Sequence, residues 1–265
     1  MRVEDVVCPF CGCLCDDLVV TVEGEQVVSV ENGCTLANEK FMGGKRLGHP
    51  IRRDGDSWKE TTYQEAIEAT AGILMDADRP LLYGWSGTHG EAQSIGVHLA
   101  ELLGGVVDNT STVCHGPSIL AIQEVGHPGC TLGQVKNRAD LILYWGANPI
   151  EAHPRHMSRY TTYADGFFVT NAFRDRKVIV VDVRRTESAN IADEFVLLEP
   201  GGDYAVLSAL RAIVRGRGDV VPPQVAGVSR EQLFRVADLC KNARFGAMFF
   251  GLGLTMTPGK SKNIR

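Results

Sequence analysis

Several features that define other protein classes are missing from this sequence. Its 27 Lys and Arg residues are interspersed with 32 Asp and Glu residues, and the net charge is −5. Because there is no concentrated basic face, nucleic acid binding is excluded. The longest apolar runs, such as Leu141–Trp145, have the length of a strand, which excludes a membrane span. The N-terminus has no basic region followed by an apolar core, so no secretory signal is present and a cytoplasmic location is predicted.

The sequence also has no G-x-G-x-x-G motif, no internal repeat and no low-complexity tract. The first absence disfavours a nicotinamide-binding Rossmann site. What is present is an ordinary globular composition, with 44% hydrophobic and 22% charged residues. Eight cysteines are also present, and five of them fall within the first 34 residues. Crowding at one end of a chain of this length favours metal ligation over a disulfide scaffold.

The first 50 residues differ in pattern from the rest of the chain. Two apolar segments, Leu18–Val22 and Val27–Val30, are separated by the turn Glu23-Gly24-Glu25. This pattern predicts a β-hairpin with a glycine-containing loop. Breaks follow at Gly43-Gly44 and at Gly48-His49-Pro50. We therefore predict a small N-terminal domain over residues 1–50.

From about residue 58 onward, amphipathic helical segments alternate with short apolar strands. The predicted strands are Pro80–Gly84, Asp140–Trp145, Lys177–Val183 and Phe245–Phe250. Helices are predicted after the capping boxes Thr62-x-x-Glu65 and Thr88-x-x-Glu91, and over Asp203–Arg215 and Ser229–Asn242. Such alternation is typical of an α/β domain, and continuously apolar strands indicate a largely parallel sheet covered on both faces. We therefore predict a second, Rossmann-like α/β domain over residues 51–265.

The last residues continue this pattern without completing it. The strand Phe245–Phe250 leads into a glycine-rich loop, GLGLTMTPGKSKNIR, in which no helix is predicted. In an open α/β sheet such a loop leads into a covering helix and lines the ligand crevice. We therefore expect the second domain to be incomplete at its C-terminus, because the chain is a fragment or because a partner subunit completes it.

Four cysteines are candidate ligands for a metal cluster. Three follow the spacing Cys8-x2-Cys11-x3-Cys15, and Cys34 arrives after the predicted hairpin. A cubane [4Fe-4S] cluster needs four thiolates, one for each iron, and we interpret the four cysteines as such a site. A structural zinc site is one alternative, and a structural or disulfide role is another. Cys13 is a spare thiol that could replace Cys11 or Cys15 as a ligand.

A second cysteine site lies between the strand-like segment Gly105–Val107 and a helix predicted to begin at Pro117. It has the sequence STVCHGP, in which Cys114 is followed by His115. A helix N-terminus and an adjacent imidazolium both favour the thiolate form of a cysteine. Cys114 could therefore be a nucleophile or a metal ligand. The alternative is a small buried residue with a chance histidine neighbour.

The remaining cysteines and one histidine pair give weaker signals. We interpret Cys130 and Cys240 as packing residues. His153 and His156 flank Pro154-Arg155 in a loop after a strand. We expect them to be solvated, with a metal-ligand pair as the alternative.

Several loops that follow predicted strands are rich in small and polar residues. Glycine in such a loop lets backbone amides approach a phosphate, and an acid at a strand end can bind a ribose or a guanine edge. Taken together, these loops predict a long, phosphate-bearing ligand. The candidate binding residues are Gly146, Asn148, Asp182, Arg184, Thr186, Gly201 and Asp203.

The order of these motifs resembles a known family. An N-terminal C-x2-C-x3-C…C cluster followed by WGANP, DVRRT and EPGGD is similar to the molybdopterin bis-guanine dinucleotide oxidoreductases, which include formate dehydrogenases. Within that group, the longer motifs resemble the B subunits of formylmethanofuran dehydrogenases, and they span the whole chain. These motifs are CPFCGCLCDD, STVCHGPS, WGANPIEAHPRH and GLGLTMTPGK.

The resemblance implies a role for each candidate residue. Cys114 would be the protein thiolate on tungsten or molybdenum, and His115 would accept a proton beside that metal. The strand-end loops would hold the dinucleotide tails of the two pterins, and the [4Fe-4S] cluster would pass on electrons. The implied reaction is the reversible reduction of carbon dioxide to formate for the formylation of methanofuran. The family's catalytic arginine is expected outside this sequence, so no arginine is assigned.

The resemblance also implies a multisubunit complex with a hydrolase-like subunit, a dinucleotide-binding subunit and ferredoxin-like subunits. One alternative from a different class is a non-redox scaffold subunit of a formyltransferase/hydrolase complex. The short chain favours this alternative, whereas the presence of all four cluster cysteines and of Cys114-His115 favours the redox enzyme. A zinc-ribbon interaction module fused to an α/β domain is a third interpretation.

Overall fold

Residues far apart in the sequence belong to the larger of two structural units. The computed structural model describes residues 1–43, 47–112 and 114–265. The larger unit combines Met1–Gly43 with Gly116–Arg265, and the inserted unit is Gly44–His115. Gly44 of the predicted break and Val113 of the STVCHGP motif lie outside the described residues. The domain boundary predicted after residue 50 stays a prediction.

The N-terminal part of the larger unit is an antiparallel sheet followed by one helix. Its elements are β1 (Arg2–Val6), β2 (Leu18–Glu23), β3 (Gln26–Glu31) and α1 (Thr35–Met42). The predicted hairpin is confirmed, since β2 and β3 pair antiparallel on either side of Gly24, whose φ is +59°. β1 is not among the predicted strands because four of its five residues are exposed, so no apolar alternation marks it.

The described residues of the inserted unit, 47–112 and 114–115, form one antiparallel hairpin, two helices and one pair of parallel strands. Its elements are β4 (Ile51–Asp54), β5 (Ser57–Glu60), α2 (Tyr63–Asp76), β6 (Leu81–Tyr83), α3 (Gly90–Leu102) and β7 (Val106–Asp108). β4 pairs with β5 antiparallel, and β6 pairs with β7 in parallel. The two parallel strands therefore end on the same side of their small sheet.

One of the two predicted capping boxes is present. Thr62 Oγ1 accepts a hydrogen bond from the amide of Glu65 at 3.2 Å, and the Glu65 carboxylate accepts one from the amide of Thr62 at 3.0 Å. The predicted box at Thr88 is wrong, because α3 begins at Gly90 without a side-chain cap. The side chain of Gln93 reaches back instead and donates to the carbonyl of Thr88 at 2.9 Å.

The C-terminal part of the larger unit is built around a four-stranded parallel sheet. Its elements are α4 (Gly116–Val125), α5 (Leu132–Arg138), β8 (Leu141–Trp145), α6 (Pro149–Ala152), α7 (His156–Arg159), β9 (Lys177–Asp182), β10 (Glu194–Leu197), α8 (Asp203–Val214), β11 (Gln224–Val225), β12 (Val228–Ser229), α9 (Arg230–Asn242), β13 (Gly246–Phe250), α10 (Leu252–Thr255) and α11 (Ser261–Ile264). The strand order is β10-β9-β8-β13, and each neighbouring pair is parallel. The predicted α/β fold with a parallel sheet is thereby confirmed.

Both faces of this sheet are covered, which is why its central strands are continuously apolar. Ile142 and Val180 belong to a buried cluster on one face, together with Val135 of α5. Leu143 belongs to a cluster on the other face, with Val206 of α8. All five residues of β8 are buried, so no polar position interrupts the strand.

The C-terminal tail contains helices that the sequence does not predict. The expectation that no helix follows the last strand is wrong, since α10 and α11 each form one helical turn after β13. The side chain of Asn263 is 5% exposed and donates to the carbonyl of Leu254 at 3.1 Å, which holds the two turns together. Four-residue helices in a glycine-rich segment have too little periodicity to be recognised. Within the described ranges, no helix is long and apolar enough to cross a membrane.

One arginine is fully enclosed in the larger unit. Arg176 is 1% exposed, and its guanidinium donates to three backbone carbonyls. It reaches Ala139 at 3.0 Å and Lys136 at 2.6 Å, and it also bonds the carbonyl of Ala164. Burial lowers the pKa of Arg176, although a guanidinium stays charged in proteins. A single side chain thus joins the end of α5 to the long segment between α7 and β9.

Candidate functional site

The predicted ligand loops of the larger unit meet at one edge of its sheet. They follow β8, β9, β10 and β13, and because these strands are parallel, all four loops lie at the carboxyl edge. In open α/β sheets the ligand crevice lies outside that edge. The topology therefore brings the candidate residues at positions 146–148, 182–186, 201–203 and 251–253 to the same side of the sheet.

Two of these loops approach each other through glycine. Gly146 has a φ of +53° and accepts a hydrogen bond from the amide of Gly253 at 3.1 Å. A Cβ atom on Gly146 would lie 2.5 Å from the carbonyl carbon of Gly253, closer than any side chain tolerates. Gly146 is therefore required for the contact between the ends of β8 and β13.

Asn148 has a fixed orientation at this edge. Its Oδ1 accepts a hydrogen bond from Ser188 Oγ at 2.6 Å, and Ser188 is fully buried. Its Nδ2 lies 3.3 Å from a carboxylate oxygen of Glu187. Because the acceptor side of the amide is already occupied, Asn148 presents donors to its surroundings.

The residues after β9 and β10 differ in accessibility. Asp182 Oδ1 accepts from the amide of Arg184 at 3.3 Å, and the Arg184 side chain is exposed. Thr186 is buried, and its hydroxyl has no hydrogen-bond partner among the described residues. Gly201 adopts a φ of +82° next to Pro258. Asp182, Arg184 and Gly201 are thus at least partly accessible to a ligand, whereas Thr186 is not.

Asp203 is enclosed rather than open. It is 2% exposed, and its Oδ1 accepts from the indole of Trp145 at 2.7 Å. Its Oδ2 is also enclosed and has no partner within the described part of the chain. The contact fixes the end of β8 against the start of α8. Its role in binding a cofactor stays a prediction.

A cavity of about 520 Å³ lies against the ends of β8 and β13. Its wall includes Gly146 and Asn148, and on another side Gly12 of the N-terminal cysteine loop. His153 and His156 complete the wall between these two regions. The cavity therefore borders both the strand-end loops and the cysteine loop.

His156 is the buried histidine of this wall. It is 6% exposed, and its ring centroid lies 4.7 Å from that of Phe249. Burial, reinforced by His153 nearby, lowers the pKa of His156 to about 4. The expectation of a solvated histidine is wrong for His156, since α7 turns it inward against the sheet.

The chain is expected to lose stability in mild acid because of His156. Unfolded chain takes up a proton at this ring below about pH 6.5, whereas folded chain does so only below about 4. Between these values the unfolded state binds more protons than the folded state. The free energy of unfolding therefore decreases as the pH is lowered through this window, by up to about 3 kcal/mol. Denaturant unfolding across this window should show a weaker pH dependence for His156→Gln. The exposed His98→Gln is the control and should behave as wild type, and equal pH dependence in all three would contradict the assignment.

Five cysteines of the N-terminal segment surround one small cavity. They are Cys8, Cys11, Cys13, Cys15 and Cys34. The loop is closed by a hydrogen bond from the amide of Cys8 to the carbonyl of Cys15 at 2.7 Å, and Cys34 immediately precedes α1. The structure therefore brings the predicted fourth cysteine to the other three. Within the described ranges, no three His, Cys, Asp or Glu side chains are grouped so that they could hold a metal ion.

Cys13 differs from its neighbours in its surroundings. It is 1% exposed, and its Sγ lies 3.9 Å from the carbonyl oxygen of His153. The hydroxyl of Tyr160 donates to the carbonyl of Cys13 at 2.7 Å. Burial raises the pKa of the Cys13 thiol to about 12. Cys13 is thus packed against the segment that carries the two histidines.

Charged side chains join the cysteine loop to α7. Arg155 binds both carboxylate oxygens of Asp17 at 2.6 Å, and Arg159 binds Asp17 at 2.6 Å and also pairs with Asp16. The hydrogen bonds from Arg155 hold the pKa of Asp17 below its usual range. Burial raises the pKa of the Cys15 thiol, and the two arginines oppose that increase. No function is predicted from the sequence for any of these four charged residues.

Cys114 and His115 lie in the inserted unit, in the turn after β7. Both are exposed, so Cys114 is not the small buried residue of the alternative interpretation. His115 Nε2 is 2.9 Å from Ser111 Oγ. The loops after β6 and β7 are joined by a hydrogen bond from Thr110 to Ser86 at 3.1 Å. The thiol therefore lies beyond the carboxyl ends of two parallel strands, with an imidazole beside it.

Cys130 and Cys240 do not behave as predicted. Both are exposed, so the interpretation that they are packing residues is wrong. Neither cysteine is among the residues that line the described cavities of the larger unit.

The sequence is similar to two B subunits of tungsten-containing formylmethanofuran dehydrogenases. The B subunit of tungsten-containing formylmethanofuran dehydrogenase 2 from Methanocaldococcus jannaschii is 50% identical over 99% of this chain. The corresponding protein from Methanococcus maripaludis is 49% identical over 98% of it. The chain is homologous to these B subunits. It spans 61% of the length of each. No family model matches the sequence.

Solved structures confirm the fold of the homologous region. Acetylene hydratase from Pelobacter acetylenicus superposes with a TM-score of 0.64 over 98% of this chain and 42% of its own, at 14% identity. A chain of the formyltransferase/hydrolase complex FhcABCD from Methylorubrum extorquens, solved with methylofuran, superposes with a TM-score of 0.56. That match covers 76% of this chain and 52% of the other, at 20% identity. At these identities the likeness concerns the fold alone.

Proposed function

We propose that the chain belongs to the catalytic B subunit of a formylmethanofuran dehydrogenase. This enzyme reversibly reduces carbon dioxide to formate for the formylation of methanofuran. The observation that carries the proposal is the 50% identity to a tungsten-containing relative over 99% of this chain. The exposed Cys114-His115 pair at the strand ends and the five clustered cysteines support it, because a redox enzyme of this kind needs both thiol sites.

The residues present fit a pterin-bound metal. Cys114 is an exposed soft donor, and tungsten and molybdenum both accept thiolate sulfur. A bis-molybdopterin guanine dinucleotide would be contacted by Gly146, Asn148, Asp182, Arg184 and Gly201, and the buried Thr186 and Asp203 would support the loops that carry these residues. The loop glycines and the donors of Asn148 suit phosphate groups and carbonyl oxygens. When bound, such a cofactor supplies two-electron chemistry at carbon.

His115 has the geometry of a proton acceptor. Its Nε2 shares a hydrogen bond with Ser111 Oγ at 2.9 Å, and this contact orients the ring next to Cys114. A ring nitrogen of an imidazole can accept a proton and return it during turnover. We assign the proton transfer to His115 and the orientation of its ring to Ser111.

The N-terminal cysteines supply the kind of donor that an iron–sulfur cluster requires. The donor set contains only thiols, all of them around one cavity, and a [4Fe-4S] cluster requires four such ligands. We assign the four ligands to Cys8, Cys11, Cys15 and Cys34, and a packing role to Cys13. Residues 1–50 would form the cluster domain, and residues 51–265 would belong to the pterin-binding domain. The proposal includes a cytoplasmic location and a complex with hydrolase-like, dinucleotide-binding and ferredoxin-like subunits.

Metal analysis of protein purified without oxygen tests the proposal. The chain should be co-expressed with its natural partner subunits. We expect about four irons and about one tungsten or molybdenum per chain. Iron without a pterin metal would contradict the catalytic assignment and favour a scaffold role. Zinc alone would contradict both redox sites.

A further inference from the structure

Arg155 immediately precedes α7, and its side chain is directed toward the N-terminal segment. Its side chain is 21% exposed and lines the cavity of the five cysteines. It donates to the two carboxylate oxygens of Asp17, each at 2.6 Å, and to the backbone carbonyl of Asn32 at 2.7 Å. Both partners lie within the first 34 residues, although Arg155 itself is more than a hundred positions away.

The two partners of Arg155 flank different cysteines. Asp17 lies two residues after Cys15, and Asn32 lies two residues before Cys34. The ladder between β2 and β3 ends at the pair formed by residues 19 and 31, so Asp17 and Asn32 lie just beyond it. Beyond the ladder, Asn32 Nδ2 donates a hydrogen bond to the backbone carbonyl of Asp17 at 2.9 Å. Arg155 adds hydrogen bonds to the Asp17 carboxylate and to the Asn32 carbonyl.

We propose that Arg155 is a positioning residue for the cluster, because it holds the loop with three cysteines and the segment with the fourth at a fixed separation. The proposal rests on the proposed function, since it presupposes a cluster on these cysteines. A guanidinium suits the task, because its rigid fork binds a carboxylate through two bonds and still has a donor left for a carbonyl. Partners of metal ligands fix the orientation of those ligands.

Arg155 also places a positive charge beside the cysteine cavity. The reduction potential of an iron–sulfur cluster depends on the charge and the hydrogen bonds around it. Reduction adds a negative charge, so the reduced state gains more from a nearby cation than the oxidised state does. Removal of the Arg155 charge should therefore shift the midpoint potential of the cluster to more negative values. Removal of the Asp17 charge should shift it in the opposite direction.

The test compares Arg155→Met, Arg155→Lys and Asp17→Asn in the full chain with its cluster assembled anaerobically. Arg2→Met is the matched control, because Arg2 pairs with Glu31 on the same N-terminal sheet but is exposed. The readouts are the rate of iron loss to a chelator and the midpoint potential from an EPR redox titration. For Arg155→Met we expect about 10-fold faster iron loss than for the control, together with a more negative potential.

The other variants separate position from charge. Arg155→Lys keeps the charge without the fork, so it should retain the wild-type potential but lose iron faster. Asp17→Asn should raise the potential, which a general loss of folding would not do. Iron loss and potential equal to those of the control in Arg155→Met would overturn this inference alone. A wild-type chain that assembles no cluster would overturn the proposed function as well.

Discussion

Replacing Arg176 with methionine is expected to lower the free energy of unfolding by about 3–5 kcal/mol. The guanidinium is 1% exposed and binds the carbonyls of Lys136, Ala139 and Ala164. Methionine fills part of the space but donates no hydrogen bond, so three buried acceptors lose their partner. Each such loss costs about 1–3 kcal/mol. The connection between α5 and the segment after α7 should weaken as a result.

Chemical denaturation of the Arg176→Met chain provides the measurement. Arg174→Met is the matched control, because Arg174 lies two positions earlier and is exposed. The control should change stability by about 0.5 kcal/mol or less. Arg176→Lys keeps the charge but cannot reach three carbonyls at once, so it should fall between wild type and Arg176→Met. Equal denaturation midpoints for Arg176→Met and Arg174→Met would show that the three hydrogen bonds contribute nothing.

Under the proposed function, replacing Cys114 with alanine should abolish the carbon dioxide and formate reactions of the assembled complex. Loss of a residue that merely supports a metal ligand costs about 10–100-fold, so loss of the ligand itself should exceed about 100-fold. Cys114 is exposed in the turn after β7, and its removal takes away no buried contact. The variant should therefore fold normally and keep the iron of the N-terminal cysteines.

The assay for Cys114→Ala should combine activity with the iron and pterin-metal content of the same preparation. Cys130→Ala is the matched control, since Cys130 is also an exposed, unpaired cysteine. It should retain wild-type activity and metal content. A Cys114→Ala complex with more than about one tenth of wild-type activity would contradict the assignment of Cys114 as the metal ligand.

The sequence predicts best those parts of the fold that have a strong local pattern. The predicted strands that contain Ile142 and Val180 are confirmed. Their apolar pattern is strong because both faces of the sheet are covered. The convergence of the strand-end loops follows from parallel pairing alone. The capping box at Thr62 is confirmed, whereas the same pattern at Thr88 is wrong because Gln93 occupies the turn. A capping motif specifies possible hydrogen bonds, and the surrounding loop decides which of them form.

The sequence predicts the clustering of the N-terminal cysteines better than the contacts that hold their loop in place. Asp17 and Arg155 are 138 positions apart, and nothing in the local pattern of either residue indicates the other. His156 reads as a loop residue because α7 is only four residues long, and its burial depends on Tyr144 and Phe249 of two neighbouring strands. Such contacts arise from the packing of distant segments. Short elements and long-range pairs therefore account for most of what could not be predicted.

The segment from Pro149 to Tyr160 links two possible binding regions, so binding at one can affect binding at the other. One side of it borders the 520 Å³ cavity, and the other side holds the cysteine loop through Arg155 and Tyr160. A ligand that orders this segment from one side lowers the conformational-entropy cost of binding a ligand on the other side. Each ligand then binds more tightly in the presence of the other. Linkage makes the two effects equal. Under the proposed function, insertion of the pterin cofactor and insertion of the iron–sulfur cluster would accordingly favour each other.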